Sequence, residues 1–334
     1  MHRPATRHIA PGALLLALLS SVAPACGDKD SGDSGTIGDS GTIGDGGGTG
    51  DGGGTEPART LGNGEHPLLY DGLDRLFRLY VPEGLPVGAP LVVAMDGYGG
   101  SAAGMQRYSG LDAVADREGF AVIYPQGMTD AFGYHYWEVG YAFHDGTVDD
   151  VGFIRAVVAL VLEDHGLDAG AVFATGMSNG GDMSYRLACE ADDLFLAVAP
   201  VAGCLMGVIQ ETCAPTGTPS LLEIHGTLDG ITPWEGDPDG SGGYGPYLGT
   251  EDSVGHFVDL YGLDNLEEEA LPDLTTEDRS TVIAHRWSAA GSKAEVWLYE
   301  IEGGHHDWPG DTGNQDIVAA EEIWAFFQRR LDGR

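Results

Sequence analysis

The chain has 334 residues, 54 of them glycine, and 52 acidic side chains against 16 basic ones, a formal net charge of −36. That imbalance weighs against nucleic acid and anionic membrane surfaces as partners, because both are polyanions. The length beyond the first 59 residues is enough for one sizeable core, and nothing in the pattern marks a second boundary.

Residues 1–26 read as a leader. Arg3 and Arg7 give a basic start, the run 13–19 is a short apolar core, and Ala23-Pro24-Ala25 precedes Cys26. The stretch is too short to span a membrane and reads as a secretory signal. Cys26 resembles the lipidated cysteine of a bacterial lipoprotein box, although Val22-Ala23-Pro24-Ala25 departs from the usual residues. Ordinary secretion is the alternative. Residues 27–59 are dominated by Gly, Asp, Ser and Thr, and the hexamer Ser-Gly-Thr-Ile-Gly-Asp occurs twice in tandem at 34–45. Such a stretch buries too little apolar surface to offset chain entropy, so it reads as a disordered tether.

From residue 60 to 334 the pattern is that of a single catalytic domain. The run 75–82 alternates and reads as an outer strand. The runs 90–95 and 120–125 are continuously apolar, the mark of strands covered on both faces. Asp149-Asp150-Val151 opens a helical pattern through Leu162, with acids where the helix dipole favours them. A strand at 171–174 precedes the turn Gly176-Met177-Ser178-Asn179-Gly180, and a helix follows at 182–189. Further strands are read at 194–201, 220–224 and 294–299, and an amphipathic helix at 317–331. Strands alternating with helices predict an α/β protein, a mostly parallel sheet with helices on both faces.

A bare Gly-x-Ser-x-Gly match is common, but between a strand and a helix it reads as a nucleophile elbow. The turn is so sharp that its flanking residues must be small. The loop His225-Gly226-Thr227-Leu228-Asp229 follows the strand at 220–224, and Gly303-Gly304-His305-His306 follows the strand at 294–299. Ser178, Asp229 and a histidine at 305 or 306 therefore run in the order Ser…Asp…His, each after a strand, which is the chain order of the α/β-hydrolase fold. Each residue singly is an ordinary loop residue; the order and placement of all three argue for a triad.

Of the cysteines after Cys26, Cys204 and Cys213 are close in sequence and are the expected disulfide, with Cys189–Cys213 as the rival pairing. Asp237-Pro238-Asp239-Gly240-Ser241-Gly242 resembles the start of a calcium loop, but Leu248 stands where the bidentate glutamate belongs. His305-His306-Asp307 lacks the spacing of a zinc site.

The joint pattern resembles one family. Gly-Met-Ser-Asn-Gly-Gly with Tyr185-Arg186-Leu187-Ala188-Cys189, Val148-Asp149-Asp150-Val151-Gly152-Phe153-Ile154, His225-Gly226-Thr227-x-Asp229, Gly243-Tyr244-Gly245-Pro246-Tyr247 and His306-x-Trp308-Pro309-Gly310 together resemble the secreted feruloyl esterases and polyhydroxybutyrate depolymerases, a group of α/β-hydrolases related to acetylxylan esterases. The resemblance spans roughly 75–327. It implies a serine esterase without metal or organic cofactor. Counting back from Trp308-Pro309, it places the catalytic histidine at His306. Where the family usually has His-Gly after the strand at 91–95, this chain has Asp96-Gly97, in the loop that shapes the oxyanion hole.

The expected roles follow. Ser178 attacks an ester carbonyl, His306 takes its proton, and Asp229 fixes the imidazole and stabilises its cation. The oxyanion donors are the backbone N–H groups of Asn179 and Tyr98. Trp308, Trp137, Trp234 and Tyr244, with Tyr136, lie on predicted loops and are candidates to hold substrate, loop packing being the alternative. The expected activity is hydrolysis of feruloyl or acetyl esters on plant polysaccharide, outside the cell or at its surface, by a monomer. A depolymerase of short-chain polyester is the alternative enzyme, and a catalytically inactive, surface-tethered polymer-binding protein the alternative of another class.

Overall fold

A computed structural model describes residues 61–333. The leader, the tether and Cys26 lie outside the described residues. The chain opens with a hairpin, β1 (Gly64–Tyr70) and β2 (Leu73–Tyr80), followed by β3 (Leu91–Met95), α1 (Ala102–Ser109), α2 (Leu111–Glu118) and β4 (Ala121–Pro125). A small hairpin, β5 (Met128–Thr129) and β6 (His135–Tyr136), leads to α3 (Asp150–His165), β7 (Val172–Met177), α4 (Asn179–Glu190) and β8 (Ala197–Val201). Then come α5 (Gly207–Gln210), β9 (Ser220–Gly226), α6 (Thr250–Tyr261), β10 (Asn265–Ala270), β11 (Thr281–Ser288), β12 (Val296–Glu302) and α7 (Ala319–Asp332).

Ten of these strands form one sheet in the order β1-β2-β4-β3-β7-β8-β9-β12-β11-β10. The six from β4 to β12 are mutually parallel, and antiparallel strands flank them on either side. Strands β3, β4, β7, β8 and β9 are buried at every position, as continuous apolar runs predict for strands covered on both sides. Alternate residues of one strand feed opposite cores. Val93 and Met95 pack with α3, α4 and α6, whereas Val92 and Ala94 pack with α1, α2 and α7. The fold is that of an α/β-hydrolase, with helices on both faces.

Two strand ends run further than the sequence pattern suggests. β7 continues to Met177, so the elbow follows the strand with no spacer. β9 continues through His225 and Gly226, which the sequence reading puts in a loop. The run 75–82 is a strand but not the outermost one, since β1 pairs outside it. Helix α3 starts where the acids predict: the Asp149 side chain accepts from Gly152 N–H at 2.8 Å, and Gly166 ends the helix in the left-handed region.

The disulfide is Cys189–Cys213, with the two Cα atoms 4.9 Å apart, and not Cys204–Cys213. Sequence proximity misleads here. Cys204 leaves β8 into the interior, where its N–H donates to Asp182 Oδ1 at 2.7 Å and its thiol is buried. Cys213, beyond α5, comes back against the last turn of α4. Closing a loop of this size restricts the unfolded chain by about 3 kcal/mol. Replacing either Cys189 or Cys213 by alanine should therefore lower the unfolding free energy by about 3 kcal/mol in non-reducing urea titration. Peptide mapping without reductant should recover the 189–213 crosslink; a 204–213 crosslink would contradict the pairing.

Candidate active site

The elbow depends on close backbone approach. A β-carbon on Gly176 would lie 2.3 Å from the Gly180 carbonyl oxygen, and one on Gly180 would lie 2.4 Å from the Met95 carbonyl oxygen. Neither position tolerates a side chain. One residue further, Gly181 of α4 meets Gly203 after β8, where a β-carbon would come within 2.9 Å of backbone. Between these glycines Ser178 is held at φ 57°, ψ −121°, a strained conformation for a residue with a side chain. Its N–H donates to Val201 O (2.8 Å) and its carbonyl accepts from Asp182 N–H (2.9 Å). The result is a half-buried serine between buried neighbours, at the C-terminal edge of the sheet.

The loop after β3 lies against it. A β-carbon on Gly97 would be 3.2 Å from Ser178 Cβ and 3.8 Å from its hydroxyl oxygen. Two bonds tie this loop in place. The Trp137 indole N–H donates to the Asp96 carbonyl at 3.0 Å, and Gly99 N–H donates to the His135 carbonyl at 2.8 Å. The Asn179 side chain is used structurally, accepting from Trp137 N–H (2.7 Å) and donating to Trp137 O (3.2 Å). Among the described residues the backbone N–H groups of Tyr98 and Asn179 donate to no acceptor. Asn179 is the first residue of α4, so its amide is one of the helix's unsatisfied donors.

Asp229 follows β9 and His306 follows β12, two strands adjacent in the sheet. His306 Nδ1 lies 2.6 Å from Asp229 Oδ2. The other carboxylate oxygen accepts from the N–H groups of Ile231 and Thr232, both at 2.8 Å. Burial would lift the Asp229 carboxyl, but hydrogen bonds from His225 and His306 outweigh it and hold the group well below the usual carboxylate range. His305 is exposed and its Nδ1 sits 3.1 Å from the Leu228 carbonyl, away from Asp229. Among the described residues no hydrogen bond joins the Ser178 hydroxyl to His306.

A serine elbow, a free pair of backbone donors and a histidine bonded to a buried acid lie after four parallel strands, β3, β7, β9 and β12. The family model described as Esterase PHB depolymerase matches residues 76–216. Over 260 residues the chain is 35% identical to a Nocardia uniformis subsp. tsuyamanensis protein named "Putative esterase NocK", covering 72% of each chain. The chain belongs to the esterase PHB depolymerase family. It is also 29% identical over 276 residues to "Probable feruloyl esterase C" of Aspergillus clavatus, covering 81% of this chain and 90% of that one. Among solved structures, an acetyl xylan esterase from Aspergillus awamori superposes with a TM-score of 0.59 at 18% identity, over 79% of this chain and 99% of that one, a likeness of fold. The protein is a carboxylic ester hydrolase.

Two of the four aromatic residues singled out for this esterase are not exposed rings. Trp137 is 1% and Trp308 4% exposed. Trp137 is consumed in tying the loop after β3 to the elbow. Trp308 packs beside Tyr108, whose hydroxyl accepts from its backbone N–H at 3.1 Å. Trp234 is half-buried, edge-on to His225. Tyr244 is half-buried and belongs to a chain of rings beside the loop: Tyr98 meets Tyr134 (5.5 Å between centroids) and Phe143 (6.0 Å), and Phe143 meets Tyr244 (5.7 Å). Tyr134 and Phe143 are more than a third exposed. Sequence reading missed both, although the aromatic density of 132–144 was a signal for them.

Asp96 is 5% exposed; among the described residues neither carboxyl oxygen has a donor in good hydrogen-bond geometry, and nearby Trp137 and Gln126 only partly offset its burial. Burial raises its pKa from 3.8 to about 7. A carboxyl raised in the folded state binds its proton more tightly there than in the unfolded chain. Its contribution therefore favours folding least at high pH: stability falls as pH rises past the unfolded value, and the loss is complete above about 7. Asp96→Asn should stabilise the protein at about pH 8 by on the order of 3 kcal/mol more than at about pH 4, read from urea midpoints at both. A difference that does not change with pH would show that folding does not raise the Asp96 pKa.

Proposed function

We propose that this esterase is an exported serine hydrolase using Ser178 as nucleophile, His306 as general base and acid, and Asp229 as the acid that orients it. The observation that carries the reading is the 2.6 Å contact of His306 with a buried Asp229, after strands of the same parallel sheet whose β7 leads into the strained Ser178 turn. Ser178 Oγ attacks the ester carbonyl carbon while His306 Nε2 accepts its proton. The resulting oxyanion is bound by the N–H groups of Asn179 and Tyr98, and loss of one such donor raises the barrier by about 3 kcal/mol. His306 then protonates the departing alcohol, leaving an acyl group on Ser178. Water, deprotonated by the same histidine, releases the acid.

The preferred substrates are feruloyl or acetyl esters of plant polysaccharide. The rings Tyr98, Tyr134, Phe143 and Tyr244 beside the oxyanion loop support an aryl acyl group, since aromatic faces stack on one another. Short-chain polyester is the second reading, supported by the family's description. Export rests on the leader and tether sequence, with Cys26 as the proposed lipid anchor of a surface-held monomer.

A fluorophosphonate probe should label wild-type protein and not Ser178→Ala, and the variant should lose p-nitrophenyl acetate hydrolysis. Retained turnover in Ser178→Ala would overturn the mechanism, and absence of labelling in the wild type would favour a binding protein. Among methyl ferulate, acetylated xylan and polyhydroxybutyrate, the highest kcat/KM is expected on a ferulate or acetyl ester. Preference for the polyester would replace that substrate reading and leave the mechanism standing.

A further inference from the structure

Behind Asp229, on the side away from His306, lies a second histidine that the mechanism above does not use. His225 is 1% exposed and Glu223, two residues earlier on the same face of β9, is fully buried. His225 Nδ1 lies 2.9 Å from Glu223 Oε1. Its Nε2 lies 2.9 Å from the Thr232 carbonyl and 3.4 Å from Asp229 Oδ2. Asp229 Oδ2 is therefore shared between two imidazoles, His306 on the open side and His225 on the buried side.

The partners determine where the protons are. A carbonyl oxygen only accepts, so Nε2 must carry a hydrogen toward Thr232. Glu223 Oε1 already accepts from Gly203 N–H at 3.3 Å, so the same oxygen accepting from Nδ1–H completes the arrangement. Both ring nitrogens then donate, and the ring is an imidazolium between two carboxylates. We propose that His225, anchored by Glu223, is a positioning residue for the catalytic acid: a permanently charged imidazolium that holds Asp229 ionised and fixes the oxygen it presents to His306. The proposal rests on Asp229 being the triad acid.

The electrostatics agree with the geometry. Burial opposes charge on His225, but its hydrogen bonds with Asp229 and Glu223 outweigh that and raise its pKa. Burial pushes the Glu223 carboxyl up, and His225 opposes it. The other titratable groups around the cluster are Asp182 and Tyr185 of α4, the Cys204 thiol after β8 and Tyr247 before α6. Asp182 is itself lifted to about 6 by burial while accepting from the Tyr141 hydroxyl at 2.6 Å. None of these brings a positive charge. Without the His225 cation, Asp229 and Glu223 would be two buried carboxylates on one side of the site, an arrangement that strongly disfavours ionising both.

The cation also acts on the pair. A positive charge behind Asp229 draws on the same carboxylate oxygen that His306 meets. Removing it should shift the acid limb of the kcat/KM profile upward.

The test compares wild type with His225→Gln and the nearly isosteric Glu223→Gln, and with Asp229→Asn as the control on the triad. In wild-type protein carrying nitrogen-15 histidine, one ring should keep both nitrogens protonated from about pH 5 to about pH 8. Its signals should vanish in His225→Gln and change to those of a ring with one bare nitrogen in Glu223→Gln. In both glutamine variants kcat should fall on the order of tenfold or more through misplacement of the acid, with KM little changed and the acid limb raised. A bare nitrogen on the His225 ring of wild type at about pH 7 would overturn the proposal. So would glutamine variants whose kcat and pH profile match wild type while Asp229→Asn abolishes turnover. If Asp229→Asn itself keeps wild-type turnover, the triad reading is what fails, and the ring-protonation measurement still decides the state of His225.

Discussion

Where β7 meets α4, backbone atoms of three segments lie closer than any side chain allows. Gly176 faces Gly180, Gly180 faces the end of β3, and Gly181 faces Gly203 after β8. This contact sets the position of Ser178 and of the loop beside it. It forces Ser178 into a strained conformation, brings the loop at Gly97 over the serine, and sets the register of the two neighbouring strand ends. The strain is held by the packing of α4 against the sheet, because a serine free to relax would leave that region of backbone space. A parallel sheet with both faces covered supplies that rigidity.

A chain this acidic also places carboxyls in its interior, and it treats each one differently. Asp229 is bracketed by two imidazoles and two backbone N–H groups and is held ionised. Asp182 accepts from a tyrosine hydroxyl and from the Cys204 N–H. Asp150 pairs with Arg75 at 2.6 Å and accepts from Glu138 N–H, tying β2 and the segment before α3 together. Asp96 has no donor in good hydrogen-bond geometry among the described residues and is pushed toward neutrality. A buried acid costs least when it is paired or protonated. The ones nearest the serine use one solution or the other.

Much of this was legible in the chain. The buried parallel strands, the elbow, the order of Ser178, Asp229 and His306, and α3 with its acidic start all show in local pattern. The edge strands β10 and β11 did not. Asn265–Ala270 carries three successive glutamates and is exposed throughout, so no alternation marks it. Its backbone pairing with β11 is joined by cross-strand side-chain contacts, Glu268 with His285 and Glu269 with Arg286, and its glutamates blunt an open sheet edge. The aromatic readings failed for a related reason. Trp137 and Trp308 stand in loops, but loops that fold back over strand ends bury their large rings.

The sequence by itself singled out Ser178, Asp229 and His306 and their order, because nucleophile elbows and strand ends have local signatures in glycine spacing and apolar runs. It also determined that Cys189, Cys204 and Cys213 could form only one bridge among them. Tertiary structure alone decided which two are bridged and that His225, within β9, stands against Asp229. The bridge joins residues 24 positions apart, α4 to the segment after α5, and no local pattern of cysteine spacing encodes it. The place of His225 depends on β9 running on through His225 and Gly226, past the end that the apolar run marks.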